Sequence, residues 1–285
     1  MKKLTVLIPL LLAACLIALP FLGACSDEDN SKLKVVTSTS LIAQIVERVG
    51  GDNVDVANII PPAQCPGHFD CSPGDVQKLV DADLFLLHGW QGETFSDELI
   101  ASADNDKLTS ISLNVKVGEN MNWMTPDVQS AAVDKITEAL VQVDGSNAEN
   151  YRDAAAAYKK IIDDTAAAVK ETLAVIDPAS VNVLCSDQQQ GFVRWAGFSV
   201  VSVFGRPETM TPQVVKDLVD AGRAGNAILV IDNMQSGADA GAGVAEELNC
   251  SRVILSNFPG GYDNTPTWED TIDYNIELLM EALTK

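Results

Sequence analysis

The hydrophobic positions of this chain change their period repeatedly, and the changes separate short strands from amphipathic helices. The run KVVTS, just after Leu33, is rich in β-branched residues and predicts a strand. The segment that follows is apolar on one helical face, at Leu41, Ile42, Ile45, Val46 and Val49. Another strand (VDVANII), a helix capped by Ser72 and the apolar strand DLFLLHG continue the alternation. Strands that alternate with helices predict an α/β fold with a parallel sheet.

The strand pattern disappears between about Val128 and Ile176. Residues 146–177 are rich in Ala, Lys and Glu and end before Pro178, so they predict one long helix. After this segment the alternation resumes through VNVLCS, SVVSVFG, AILVIDN and RVILSN, with a helix capped by Thr211 and a final helix from about Thr267. The sequence therefore predicts two Rossmann-like α/β lobes with parallel sheets, 34–145 and 178–285, joined by one long helix within 146–177.

The first 24 residues have the layout of a secretory signal peptide, with two lysines and an apolar run before the polar CSDEDNS. The LGAC that ends at Cys25 resembles the lipobox of bacterial lipoproteins, so we expect cleavage there, lipid on Cys25 and a tether over 25–33. Cleavage at Cys15 would leave an apolar segment exposed. Uncleaved, the 21 apolar residues 4–24 are long enough to span a bilayer as an anchor. Every alternative predicts a folded part outside the cytoplasm.

Composition narrows the classes of partner. A chain of 285 residues with 47% hydrophobic residues can bury a sizeable core without disulfides. Its formal net charge of −21 excludes nucleic acid as an expected partner.

The stretch CPGHFDC carries the densest candidate chemistry, with Cys65, His68 and Cys71 three residues apart. Thiolate and imidazole are ligands that borderline and soft metal ions prefer, and this spacing lets them converge from one turn. A Cys65–Cys71 disulfide, with His68 on a surface loop, is the alternative in an oxidising compartment.

Longer motifs point to a family. The stretch from VVTSTSLIAQ to HGWQGETF, together with NWMTP and the closing ILSNFPGGYDNTPTWEDTIDYNIELLMEAL, resembles the solute-binding proteins of zinc and manganese ABC importers. The resemblance implies two lobes joined by a rigid helix and a metal ion captured between them. It also implies ABC permease and ATPase subunits as partners, no enzymatic activity, and an extracytoplasmic, monomeric lipoprotein.

The resemblance further implies four metal-ligand positions, normally occupied by histidines and carboxylates. They fall on Gly67, Met121, Val203 or Phe204, and Asn257, none of which carries the usual ligand. Because carboxylates are lost and sulfur is gained, we expect zinc as the transported ion, with copper(I) as the softer alternative. The predicted ligands are Cys65, His68, Cys71 and Met121.

Further cleft candidates are polar residues at the ends of strands: His88, Asp187, Gln189, Arg206, Glu208, Asp232, Asn233 and Asn257. Helix capping and turn formation explain the Asp and Asn residues equally well. So many amides would also suit an organic solute or a metal chelate. A thiol-dependent enzyme with Cys65 or Cys185 as nucleophile, and His68 or His88 as base, is a third alternative.

Overall fold

The structure is a computed structural model, and it describes residues 32–90 and 93–284. The predicted signal peptide, tether and lipidation site at Cys25 lie outside these residues. No helix in the described ranges combines the length and the apolarity that crossing a membrane requires.

The first lobe contains a four-stranded parallel sheet with the strand order β2-β1-β3-β4. Its elements are β1 Leu33–Thr37, α1 Ser40–Gly50, β2 Val54–Asn58, α2 Pro73–Val80, β3 Leu84–Leu87, α3 Phe95–Ala103 and β4 Thr109–Ser112. The apolar face predicted for α1 is fully buried against this sheet.

The second lobe repeats the arrangement with the order β6-β5-β7-β8, again parallel throughout. Its elements are β5 Asn182–Ser186, α6 Gln190–Trp195, β6 Ser199–Phe204, α7 Pro212–Ala224, β7 Leu229–Asn233, α8 Met234–Gly237, α9 Ala242–Leu248, β8 Ser251–Leu255 and α10 Trp268–Thr284. The predicted cap of α7 forms, since the hydroxyl of Thr211 accepts a hydrogen bond from the amide of Val214. Two parallel α/β sheets confirm the predicted fold class.

Two helices occupy the stretch without strands. They are α4 Pro126–Val143 and α5 Ala148–Leu173, a helix of 26 residues that lies inside the range predicted for the long connector. The α5 helix packs against α1, α4 and α10.

One hydrophobic core runs through both lobes. It joins side chains of β1 and β3 to those of β5, β7 and β8 by way of α4, α5 and α10. Trp268 at the start of α10 donates an indole hydrogen bond of 2.9 Å to the carbonyl of Trp123, which precedes α4. A salt bridge of 2.5 Å between Arg48 of α1 and Glu269 of α10 adds a second connection. The lobes are therefore packed as one body along this side, because the buried apolar surface is continuous.

A candidate solute-binding cleft

The carboxyl ends of both sheets face a cleft with a volume of about 1170 Å³. Ligands of open α/β sheets bind at this edge, outside the ends of the strands. The first lobe supplies the loop after β2, Gly89 and Trp90 after β3, and residues 119–123 before α4. The second lobe supplies residues from each of the four segments that follow its strands: Asp187, Gln188, Arg206, Asn233, Gln235, Ser236, Asn257 and Phe258.

Direct hydrogen bonds hold the two lobes together around this cleft. The hydroxyl of Ser40 donates to the carbonyl of Pro259 over 2.7 Å, and the amide of Gln235 donates to the carbonyl of Pro62 over 2.9 Å. The side-chain amide of Asn122 in the first lobe donates to the carbonyl of Gln188 in the second over 2.9 Å, and Asn257 of the second lobe donates to the same carbonyl over 2.9 Å. The cleft walls are therefore fixed by groups that belong to both lobes.

The candidate ligands of the loop CPGHFDC lie in two different environments, one in the cleft and one exposed to solvent outside it. Cys65 is buried and lines the cleft. His68 ends a short 3-10 turn, Pro66–His68, and its ring is exposed, with Nε2 3.8 Å from a carboxylate oxygen of Glu208. Neither His68 nor Glu208 lines the cleft.

Cys71 is also outside the cleft, on the exposed side of the loop. Partial burial raises the pKa of its thiol, and the carboxylates of Asp75, Glu98 and Asp70 raise that pKa further. Cys65 and Cys71 are both free thiols in this structure, so the alternative of a disulfide between them is not formed.

The fourth predicted ligand, Met121, does line the cleft, and it is 52% exposed. However, the described ranges contain no group of three or more His, Cys, Asp or Glu side chains arranged to hold a metal ion. The structure thus brings Cys65 and Met121 to one cleft but does not assemble the three loop residues around a common point.

His88 lies behind the cleft wall. Its ring stacks on Trp90 at 3.6 Å between centroids, meets Trp123 edge-on, and shares a hydrogen bond of 2.7 Å between Nε2 and the hydroxyl of Thr39. Complete burial lowers the pKa of His88 well below its ordinary value, so the ring is neutral at pH 7. Its Nδ1 has no hydrogen-bond partner among the described residues.

The second-lobe candidates also divide between the cleft and the interior. Asp187, Asn233 and Asn257 line the cleft. Gln189 is buried behind the wall and donates to Asn233 and to the carbonyl of Leu255. In this structure Gln189 is an interior residue and not a lining residue, because its side-chain amide donates to internal acceptors.

Asp232 is likewise interior rather than a cleft residue. Its carboxylate is completely buried, bound by the guanidinium of Arg252 at 2.7 Å and by the backbone amide of Gly241 at 2.8 Å. Burial raises the pKa of Asp232, although Arg252 and Gly241 oppose the rise. Its role is structural, since both oxygens are used inside the lobe.

Three of the positions at which the resemblance places metal ligands line this one cleft: Gly67, Met121 and Asn257. The fourth does not, because Phe204 is buried and neither it nor Val203 lines the cleft. Sequence reasoning did not foresee the hydrogen bond that bridges the lobes from the side-chain amide of Asn122 to the backbone carbonyl of Gln188.

The enzyme alternative meets a physical obstacle at Cys185. This thiol is fully buried in the core, and burial raises its pKa to about 12. A thiol with that pKa is not a thiolate at neutral pH.

Comparisons with known proteins assign the chain to a family. Residues 35–282 match the model of the family described as zinc-uptake complex component A, periplasmic. A metal ABC transporter substrate-binding lipoprotein of Streptococcus sanguinis is 25% identical over 315 residues and is covered completely, as is this chain. A manganese-binding lipoprotein of Halalkalibacterium halodurans is 22% identical, with 91% of each chain covered.

Solved structures show the same fold. A manganese-bound periplasmic metal-binding protein from Candidatus Liberibacter asiaticus superposes with a TM-score of 0.75 at 19% identity, over 88% of this chain and 100% of that one. A substrate-binding protein of Pseudomonas aeruginosa in complex with Ni²⁺ gives the same TM-score and identity, over 89% and 97% of the two chains. The family consists of substrate-binding proteins of ABC transporters and not of enzymes, which confirms the predicted class. This chain belongs to the family of periplasmic zinc-uptake complex component A, the substrate-binding proteins of metal ABC importers.

Proposed function

We propose that this protein captures a transition metal ion in the cleft between its lobes and delivers it to the permease and ATPase subunits of an ABC importer. One observation carries the proposal: three of the family's ligand positions, Gly67, Met121 and Asn257, line a single cleft bounded by both lobes. A cleft between two lobes lets a ligand contact both of them at once, which suits a receptor that a permease must recognise as loaded.

The sulfur atoms in the cleft favour a thiophilic ion. Cys65 and Met121 both line it, and thiolate and thioether ligands select zinc or copper(I) over manganese, which prefers oxygen ligands. Some relatives are named as manganese-binding proteins, but the donors of this chain differ from the carboxylates and histidines that the resemblance implies. We therefore propose zinc as the ion, with copper(I) as the alternative.

The ligand roles of His68 and Cys71 stay predictions. Both belong to the same short loop as Cys65, but the exposed positions of their side chains put them outside the cleft. A loop that closes on an ion would have to turn them inward.

The location of the protein belongs to the same proposal. Relatives that match the chain are named as lipoproteins, and we propose that Cys25 carries the lipid that holds the protein at the outer face of the membrane. We propose that it acts there as a monomer.

Equilibrium dialysis followed by elemental analysis tests the function. Zinc, manganese and copper(I) are each offered as simple salts and in citrate, and one retained ion per chain is the expected result. Cys65→Ser and Met121→Leu should each weaken retention about tenfold or more, as expected for losing a metal ligand. Cys71→Ser is the matched control, because its thiol lies outside the cleft.

Three results would contradict parts of the proposal. Retention of none of these ions in either form overturns metal capture in this cleft. Tighter retention of manganese than of zinc overturns the choice of ion. A loss in Cys71→Ser equal to the loss in Cys65→Ser shows that the loop closes around the ion, as the sequence alone predicts.

A further inference from the structure

A guanidinium group lies beside Gly67, the position at which the resemblance implies the first metal ligand. Nη1 and Nη2 of Arg206, from the loop after β6, lie 3.1 and 3.2 Å from the point that a Cβ on Gly67 would occupy. A histidine at residue 67 would therefore meet this group, and the glycine is what leaves room for it. The second lobe thus inserts a positive charge at a position where the resemblance implies a metal ligand.

The charge of Arg206 is not neutralised within the described ranges. The residue is half-buried and lines the cleft, and its guanidinium forms no ion pair or hydrogen bond with another described residue. The nearby carboxylate of Glu208 is exposed and faces His68 instead. A half-buried, unpaired guanidinium is costly to desolvate unless a ligand supplies the missing anion.

The protein's donors are too few to hold a bare ion. Zinc in proteins is usually bound by four ligands, and the cleft offers the sulfurs of Cys65 and Met121 without a group of three His, Cys, Asp or Glu side chains among the described residues. A divalent cation beside Arg206 would also be repelled. The remaining ligands must therefore come with the metal.

The cleft has room for such a complex. Its volume of about 1170 Å³ exceeds what a single ion needs and is somewhat larger than most small-molecule sites, which span about 300–1,000 Å³. Trp90 and Trp195 supply apolar wall, and Gln190 and the exposed Arg194 supply further donors.

Three carboxylates also line the cleft and oppose an anion: Glu119, Asp127 and Asp187. All three are exposed to solvent, where salt and water screen their charges. Arg206 is less exposed, so its charge acts more strongly on a ligand that reaches Gly67.

We infer that the cleft takes its metal as an anionic chelate whose carboxylate groups pair with Arg206, an inference that rests on the proposed function. The chelator fills the coordination positions that the protein leaves open. Arg206 acts as a specificity residue, because it attracts the chelator and disfavours the uncomplexed ion.

Dialysis with two labels tests this directly. Purified protein is equilibrated with ⁶⁵Zn and ¹⁴C-labelled citrate, then with the same metal and labelled nitrilotriacetate or EDTA, and each label is counted. We expect one metal and one chelator retained together with at least one of these carboxylate chelators. Arg206→Met should weaken that retention about tenfold to a hundredfold, the range expected for one charge-assisted hydrogen-bonded pair.

Two further variants separate the role of the charge from a folding defect. Arg206→Lys keeps the positive charge and should restore part of the affinity. Arg152→Met is the matched control, because Arg152 is an exposed arginine of α5 outside the cleft, and it should bind as the parent does.

Each other outcome has a distinct meaning. Metal retained without any chelator overturns the inference and leaves metal capture standing. Chelator retained without metal overturns metal capture and keeps Arg206 as an anion site. Neither label retained with any chelator overturns both, and equal losses in Arg152→Met and Arg206→Met would refute the role of Arg206.

Discussion

A buried tyrosine joins the three helices that support the first lobe, and its hydroxyl provides a quantitative test of this packing. Tyr158 of α5 donates a hydrogen bond of 2.9 Å to Oε1 of Gln44 in α1 and accepts one of 3.1 Å from Nε2 of Gln129 in α4. Tyr158 is 2% exposed and Gln129 is fully buried. Both glutamines depend on this hydroxyl, because both side chains are buried.

The change Tyr158→Phe removes one oxygen and keeps the ring, including its contact with the guanidinium of Arg48 at 5.2 Å from the ring centroid. Two buried groups then lose their partner, each at about 1–2 kcal/mol, so we expect the free energy of unfolding to fall by about 2–4 kcal/mol. Oε1 of Gln129 already has no partner among the described residues. Rotating this amide by half a turn would therefore not replace the hydrogen bond that the variant loses.

Urea unfolding of parent and variant measures this difference. Tyr262→Phe is the matched control, because its hydroxyl donates a single hydrogen bond of 2.7 Å to the carbonyl of Ile254 at a half-buried position. The control should lose about 1 kcal/mol. If Tyr158→Phe loses no more than Tyr262→Phe, the three helices are not held by this hydroxyl and the reasoning is refuted.

Three more predictions concern the anchor, the lobes and the buried histidine. Intact mass spectrometry of membrane-extracted protein should show a chain that begins at Cys25 and carries lipid; an unmodified chain that keeps residues 1–24 would favour a spanning anchor. X-ray scattering profiles with and without bound zinc should nearly superimpose, because one core runs through both lobes, and a large closure would contradict this. Burial lowers the pKa of His88, so the folded state binds fewer protons than the unfolded state. The free energy of unfolding should therefore fall as the pH drops below about 6.5, by up to about 1.4 kcal/mol per pH unit. His88→Gln should remove this part of the slope in urea unfolding at pH 5 to 7, whereas the exposed His68→Gln should not; an unchanged slope in His88→Gln would show that the ring is protonated when folded.

Much of the fold could be predicted because its signals are local. The apolar face of α1 and the Thr211 cap of α7 are spacings within one element, and each forms as the sequence predicts. The helix α4 was not predicted, because the long helix was placed within 146–177, although Val128, Ala132, Ile136 and Leu140 repeat every four residues and are all buried. This spacing is the signal from which a helix before the long connector could have been predicted.

The site was less predictable, because it depends on the conformation of a loop. Spacings of three bring side chains together within a helix, but Cys65 precedes the turn in an extended conformation, with φ −75° and ψ 124°. Phe69, after the turn, is extended as well, with φ −90° and ψ 125°. Cys65, His68 and Cys71 therefore leave the backbone in different directions, and only Cys65 lines the cleft.

Arg206 shows the other limit of sequence reasoning. Its approach to Gly67 crosses from one lobe to the other, and no spacing along the chain encodes that contact. The available signal was indirect: a glycine stood where the resemblance implies a ligand, and an arginine stood shortly after the third ligand position. Considered together, the small Gly67 and the large Arg206 would have suggested that the glycine leaves space for the guanidinium.

Different parts of this molecule determine the fold of the lobes and the specificity of the cleft for its solute. The lobes are fixed by a shared core and by hydrogen bonds that end on backbone carbonyls, as Ser40 does on Pro259 and Gln235 on Pro62. Backbone acceptors do not depend on the identity of the side chain, so residues that line the cleft can change while its walls stay in place. That independence explains how the chain keeps the fold of its family over residues 35–282 although every expected ligand is replaced. It also means that the solute has to be inferred from the groups now in the cleft. The charge of Arg206, which has no ion-pair partner among the described residues, is the one that a bare metal ion cannot satisfy.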